Sequence, residues 1–170
     1  MANPSSPGRQ ARTAKGRGFS LIELLIVIAI ILIILAIAIP DLLRARIAAH
    51  QADAVENCRT ITSAEVIYYT MYGVGFAPTL ATLGGTPPAA PDASGAQLID
   101  VVLATGTKSG YVFMYSPLSP DPTGAYQDYS LNADPASPKI SGINHYFTDE
   151  PSVIHYNPNA MANVNDPPIQ

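Results

Sequence analysis

Between positions 19 and 39 the chain reads FSLIELLIVIAIILIILAIAI, 21 residues broken only by Ser20 and Glu23. As a helix at ~1.5 Å per residue this segment is roughly 31 Å long, close to the hydrocarbon thickness of a bilayer. Its apolar side chains point in every direction, so it has no wet side to turn towards water. Many are β-branched and favour strands in water. In lipid the backbone must satisfy its own hydrogen bonds, and that requirement overrides propensity. A membrane span over residues 19–39 is the expectation, and the rest of the chain must accommodate it.

Charge divides on either side of this run. Residues 1–18 carry Arg9, Arg12, Lys15 and Arg17 and no acid. Of 9 basic and 13 acidic residues in the chain, that leaves 5 against 13 from residue 19 onward, a net of −8. Four cations before a span, with only Arg44 and Arg46 close behind it, predict a cytoplasmic N-terminus and an outer globular part. The acidic body excludes nucleic acid as an expected partner, because phosphate binding requires a basic patch. Residues 1–18 are polar and hold Pro4, Pro7, Gly8, Gly16 and Gly18, so they read as a disordered leader. Cys58 is the single cysteine and forms no intramolecular disulfide; its place in a helical stretch predicts a small buried hydrophobe.

After Pro40 the pattern changes. Ile47, Ala54, Cys58, Ile61, Ala64 and Tyr68 recur at helical spacing, while Arg44, Gln51, Glu56 and Arg59 lie mostly off that stripe. One helix from Phe19 to about Tyr72 is predicted, roughly 80 Å long, ending at Gly73 or Gly75. Pro40 lacks a backbone donor and crowds the carbonyl of Ala36, so a kink or local unwinding is expected there. Short helical pieces are expected at 79–83 and 96–103. Strands are expected at 111–115, 126–131, 143–148 and 153–156, with a hairpin loop at 149–152. About four antiparallel strands cannot bury both faces alone, so one face should rest on the amphipathic half of the helix, giving an α+β fold. The divisions are 1–18 leader, 19–40 membrane half of the helix, 41–72 amphipathic half, 73–156 globular domain and 157–170 flexible tail.

Gly18-Phe19-Ser20-Leu21-Ile22-Glu23, directly before the apolar run, resembles the prepilin cleavage and methylation signal of type IV pilins and type II secretion pseudopilins. The apolar helix and Pro40 extend that likeness. The resemblance implies a pilin fold and a structural subunit, not an enzyme. It also implies cleavage after Gly18 by a prepilin peptidase and N-methylation of Phe19 by the same partner. The subunit would sit in the bacterial inner membrane with its N-terminus cytoplasmic, contact an assembly platform, and polymerise with its own kind. Glu23 of an incoming subunit would face the Phe19 amine of a neighbour and set register. Residue chemistry agrees: a carboxylate within a span costs roughly 2.5–3.5 kcal/mol on insertion scales and calls for a partner. Glu23 lies one turn from Phe19, on the same face.

Other readings remain open at this point. Ala36-Ile37-Ala38 has the form of a secretory signal-peptidase site, and cutting there would release a soluble protein from Ile39. An uncleaved anchor is a further alternative. Within the family, an extracellular pilus for adhesion or motility competes with a periplasmic pseudopilus of type II secretion. Pilin-like features at 132–135, read as a turn, and at 145–150 favour the former. No cofactor and no metal site are expected. His145 and His155 could face each other across the last hairpin beside Asp149 and Glu150, and Asp121, Asp128 and Asp134 lie near turns. Their spacing fits no metal-ligand motif. Tyr68, Tyr69 and Tyr72 are read as packing against the sheet.

Overall fold

The computed structural model describes residues 18–85 and 90–169. The expected leader up to residue 17 lies outside the described residues. Helix α1 spans Leu21–Tyr72, followed by α2 (Leu80–Gly84) and α3 (Val101–Ala104). Five strands follow: β1 (Thr107–Lys108), β2 (Tyr111–Pro120), β3 (Tyr126–Pro135), β4 (His145–Asp149) and β5 (His155–Asn157). They form one antiparallel sheet in chain order. This is the expected α+β, pilin-like arrangement of a long N-terminal helix packed against a sheet, with five strands where about four were anticipated. The extra strand is the two-residue β1, which pairs Lys108 with Tyr111 across a tight turn.

By its contacts the chain divides at Pro40, into Met1–Pro40 and Asp41–Gln170. Pro40 is helical in its own assignment and on both sides, so the anticipated unwinding does not occur. The turn keeps its helical backbone although one amide donor is missing.

In the second unit, α1 supplies Ala54, Cys58, Ile61, Ala64 and Tyr68 to the core, all essentially buried. These lie on the predicted stripe; Ile47 is only half-buried. Ala54, Cys58 and Ala64 are small, which leaves room for Tyr111, Phe113, Leu131, Ala133 and Tyr146 of the sheet. Period-two alternation along β3 places Tyr129, Leu131 and Ala133 inward. Burial pushes the Cys58 thiol up to about 12, so it stays protonated and unreactive.

Helix α1 ends where glycine allows it. Gly73 has φ +64 and donates its N–H to Tyr69 O at 3.1 Å. Two residues on, a Cβ at Gly75 would collide with the Tyr126 carbonyl, and Phe76 N–H donates to that carbonyl at 2.8 Å. α2 is capped by the Thr79 hydroxyl and α3 by Asp100. The 96–103 helix shrinks to Val101–Ala104, because Ala96 and Leu98 donate their N–H groups to the carbonyls of Thr82 and Leu83 instead.

Two further expectations are corrected. The segment 132–135 is strand, not turn: Asn132 and Asp134 pair with Met114 and Val112 within β3. The stretch after Asn157 is tied down. Asn132 Nδ2 donates to Ala162 O, Tyr156 N to Pro167 O, and Ile169 N to Ile154 O, each within 3.0 Å. Asn157 Nδ2 also donates to Asp166 Oδ1 at 3.0 Å.

Glu65 was not anticipated as a core residue, yet it is fully buried. Its Oε2 accepts the Ala77 N–H at 3.0 Å and joins α1 to the chain beyond its end. Oε1 has no hydrogen-bond partner. The nearby Tyr115 hydroxyl has its own proton committed to Ala77 O at 2.7 Å. Burial therefore raises the Glu65 carboxyl to about 7, against the opposing pull of the Ala77 N–H and Tyr115. Folded chains keep this proton up to about 7, whereas unfolded chains lose it near 4.5. Its contribution to stability is thus intact below the unfolded value and lost as pH rises through the folded one, on the order of 3 kcal/mol. Glu65→Gln in the detergent-solubilised full chain should match wild type at pH 4 and exceed it at pH 8. Thermal unfolding across this range checks it, and an equal pH slope in both proteins would contradict the assignment.

Candidate functional site

The residues singled out in the sequence lie along the first unit. Gly18 and Phe19 precede the helix, and both are exposed, Phe19 by 84%. A Cβ at Gly18 would meet nothing within 4 Å. The fold of the described residues therefore has no steric need for glycine there.

Ser20 is the N-cap of α1. Its carbonyl accepts Leu24 N–H at 3.2 Å, and its own N–H donates to Glu23 Oε2 at 2.9 Å. Ser20-x-x-Glu23 is half of a capping box, in which the third helical residue reaches back to an orphan donor. A serine three residues before a glutamate at a helix start is a readable signal for this contact, in addition to the family likeness carried by the same residues. The carboxylate also lies at the positive end of the helix dipole. Glu23 is thus held by its own helix start, on the amide of Ser20, one residue after Phe19. Pro40 lies far along the helix and joins no part of this cluster.

Beyond Glu23 every residue through Leu43 is exposed. Leu21, Ile33 and Ile37 each show about two thirds or more of their surface. This is the one helix among the described residues long and apolar enough to cross a membrane, and none of that stretch is buried within the chain. Such a surface requires lipid or protein around it.

The remaining candidates are separated by the fold. In β4 and β5, His145 lies opposite Asn157 and His155 opposite Phe147, so the two histidines do not face each other. His145 Nδ1 meets Asp134 Oδ1 at 2.5 Å, while His155 Nδ1 donates to Asp166 O at 2.6 Å. Asp121 Oδ1 closes the β2–β3 turn by accepting from Thr123 N, Thr123 Oγ1 and Ala125 N. These bonds hold the Asp121 carboxyl below the usual carboxylate range, the Thr123 hydroxyl foremost. Asp128 Oδ1 accepts from Tyr129 N. No group of three His, Cys, Asp or Glu suited to a metal ion occurs among the described residues. Of the three tyrosines, Tyr68 is buried, with its hydroxyl on Ala93 O at 2.7 Å. Tyr72 packs beside it, and Tyr69 is 42% exposed against Phe76.

Comparison with known proteins points to the same end of the molecule. Residues 14–39 match the prokaryotic N-terminal methylation motif. Over 72 residues the chain is 38% identical to the type IV major pilin protein PilA of Myxococcus xanthus (strain DK1622), covering 38% of this chain and 33% of that protein. The match thus spans about a third of that relative's length. No solved structure matches. The chain thus carries the N-terminal methylation motif and is similar, over 38% of its length, to a type IV major pilin.

Proposed function

We propose that this chain is a structural filament subunit, made as a prepilin and inserted once through the bacterial inner membrane with its N-terminus in the cytoplasm. The observation that carries the reading is the exposed apolar surface of residues 21–43, next to Gly18, Phe19 and Glu23 in a methylation motif. A prepilin peptidase cuts after Gly18, where an added side chain would meet nothing within 4 Å among the described residues, and the Phe19 amine so formed is methylated. An assembly platform then moves subunits from the bilayer into a polymer. There the apolar helices of neighbouring copies replace lipid as the surroundings of residues 21–43. Each fully covered Leu or Ile is worth roughly 1.5–3 kcal/mol relative to water, enough to hold such a polymer together outside the membrane. The relative's name, a major pilin, favours an extracellular pilus over a periplasmic pseudopilus.

Glu23 supplies register in this reading. Inside one chain its carboxylate already accepts Ser20 N–H, so it has lone pairs left for a second donor. The cationic Phe19 amine of a neighbour is such a donor. A charge left unpaired in hydrocarbon is costly, so the pair disfavours misaligned subunits even where its net stabilisation is small. Pro40 supplies flexibility: with one helical hydrogen bond missing, the helix can bend there as subunits enter the filament.

Gly18→Leu should leave insertion intact and accumulate full-length precursor in the membrane fraction; undiminished processing by immunoblot would refute the cut site. Glu23→Val should insert and be processed normally but reduce fibre yield about tenfold or more, on the energy scale of an intramembrane carboxylate. Electron microscopy of sheared material reads that yield. Wild-type fibre numbers would remove the register role, and absence of fibres from wild-type cells would remove the surface-pilus reading.

A further inference from the structure

Beyond residue 18 the chain has five cations, Arg44, Arg46, Arg59, Lys108 and Lys139, against 13 acids. Three of the five are used within the fold: Arg44 pairs with Asp41, Arg59 with Glu56 and Lys108 with Asp100. Among the described residues no acid pairs with Arg46 or Lys139. Both line one cleft of about 490 Å³, together with Leu43, His50 and Ile140. One wall of it is a built loop. Lys139 N donates to Gly142 O at 2.7 Å, Ser137 N to the Ser141 hydroxyl at 3.0 Å, and His50 Nδ1 to Ser141 O at 3.1 Å. That bonding holds Lys139 at φ +68 and leaves Ile140 74% exposed. The cleft is therefore preformed, basic and partly apolar.

The opposite end of β4 is acidic. There the β4–β5 loop is closed by Ser152 N–H on Asp149 O at 2.8 Å and by the Ser152 hydroxyl on Glu150 O at 3.2 Å, with Ser152 at φ +62. This loop carries Asp149 and Glu150, and Pro151 and Val153 are exposed beside them. Among the described residues neither acid has a salt-bridge partner. Burial first, and then the neighbouring Asp128 carboxylate, push the Asp149 carboxyl up, with His155 and the local backbone opposing them. Two cations at one end of the unit and two carboxylates at the other are thus left without a counter-charge. Each pair has exposed apolar side chains next to it.

Within one chain the loop and the cleft cannot meet. Glu150 lines a second cleft with Val66, Tyr69 and Thr70 of α1, whereas Lys139 shares its own with Leu43, Arg46 and His50. The two levels are separated along the helix by roughly 30 Å. We propose that the β4–β5 loop of one copy seats in the Arg46–Lys139 cleft of a second copy. Asp149 and Glu150 meet the two cations, and Pro151 and Val153 cover Ile140 and Leu43. This inference rests on the filament reading above, in which all copies run parallel. Between parallel copies the cleft and the loop meet only when one copy is advanced along the helix axis by about their separation. Every seated copy then leaves a free loop at one end and a free cleft at the other, so the contact is head to tail and does not close on itself. The charges set which surfaces meet, and the apolar groups between them supply burial.

Cysteine pairs test the geometry directly. Lys139→Cys combined with Glu150→Cys places one thiol on each half of the contact, and the native Cys58 is buried. Sheared fibres of this double variant, treated with a short bismaleimide, should give a ladder of covalent multimers, whereas either single variant stays monomeric. Charge exchange tests whether attraction is the cause. Lys139→Glu and Glu150→Lys should each lower fibre yield about fivefold, and together return it to within about twofold of wild type. Arg46→Glu, on a regular helix, should repeat the loss without altering the loop. Fibres of the cysteine pair that give no ladder, or a charge exchange that restores nothing, would overturn the contact and leave the filament reading intact. Crosslinked dimers from either single variant would mean that like surfaces meet, and would overturn it as well. Absence of fibres from wild-type cells would remove the filament reading itself, and this contact with it.

Discussion

Over residues 21–43 the apolar side chains of helix α1 are all exposed. That uncovered surface determines what the remainder must do. It cannot be left in water, because each large aliphatic side chain there would cost roughly 1.5–3 kcal/mol relative to burial. It cannot be covered by the sheet either, since the sheet's inward face is already occupied by the second half of the same helix. Lipid and other copies of the helix are the two environments that the proposed subunit would use in turn.

The second half of α1 is built for a different neighbour. Its core-facing stripe is mostly small, which lets Tyr111 of β2 and Tyr146 of β4 share one core with the helix. Ring contacts join Tyr69 to Phe76, Phe76 to Tyr129 and Tyr129 to Tyr115, and Tyr111 to Tyr146, and Ile61 and Leu131 are buried in the same core. Polar groups are enclosed with them. Glu65 Oε1, the Tyr129 hydroxyl and Thr148 Oγ1 are all buried without a partner. A core carrying such groups forgoes some stability, and at Glu65 the size of that loss depends on pH.

Periodicity made the helix, its buried stripe and its end at Gly73 legible, because a 52-residue pattern that changes from all-round apolar to one-sided admits few alternatives. The sheet was legible in direction and nearly in number, but not in extent. β2 and β3 run ten residues each, past Pro117, Pro120 and Pro135. Proline normally argues against a strand. Here Pro117 and Pro120 lie where β2 has β3 as its only ladder partner, beyond the two residues paired with β1, so their missing donors face an open edge. Asn132-Ala133-Asp134-Pro135 has turn composition, yet Ala133 is buried between Leu131 and Pro135 in a strand with neighbours on both sides. The last residues looked like a loose tail because they have no hydrophobic period. They are held by Asn and Asp side chains and by backbone bonds to β5 and Ile154, which no periodicity encodes. At the N-terminus the motif is plain in the sequence, while the bond from Ser20 N–H to Glu23 is a capping contact that the likeness to a prepilin signal does not imply.

The most direct test of the account is the intact mass, with N-terminal fragmentation, of the protein recovered from membranes and from sheared filaments. A chain that begins at Phe19 and carries one extra methyl group is the predicted result. A chain that begins at Ile39 would make this a secreted soluble protein, and an intact Met1 would leave a plain membrane anchor; either would contradict the proposed subunit.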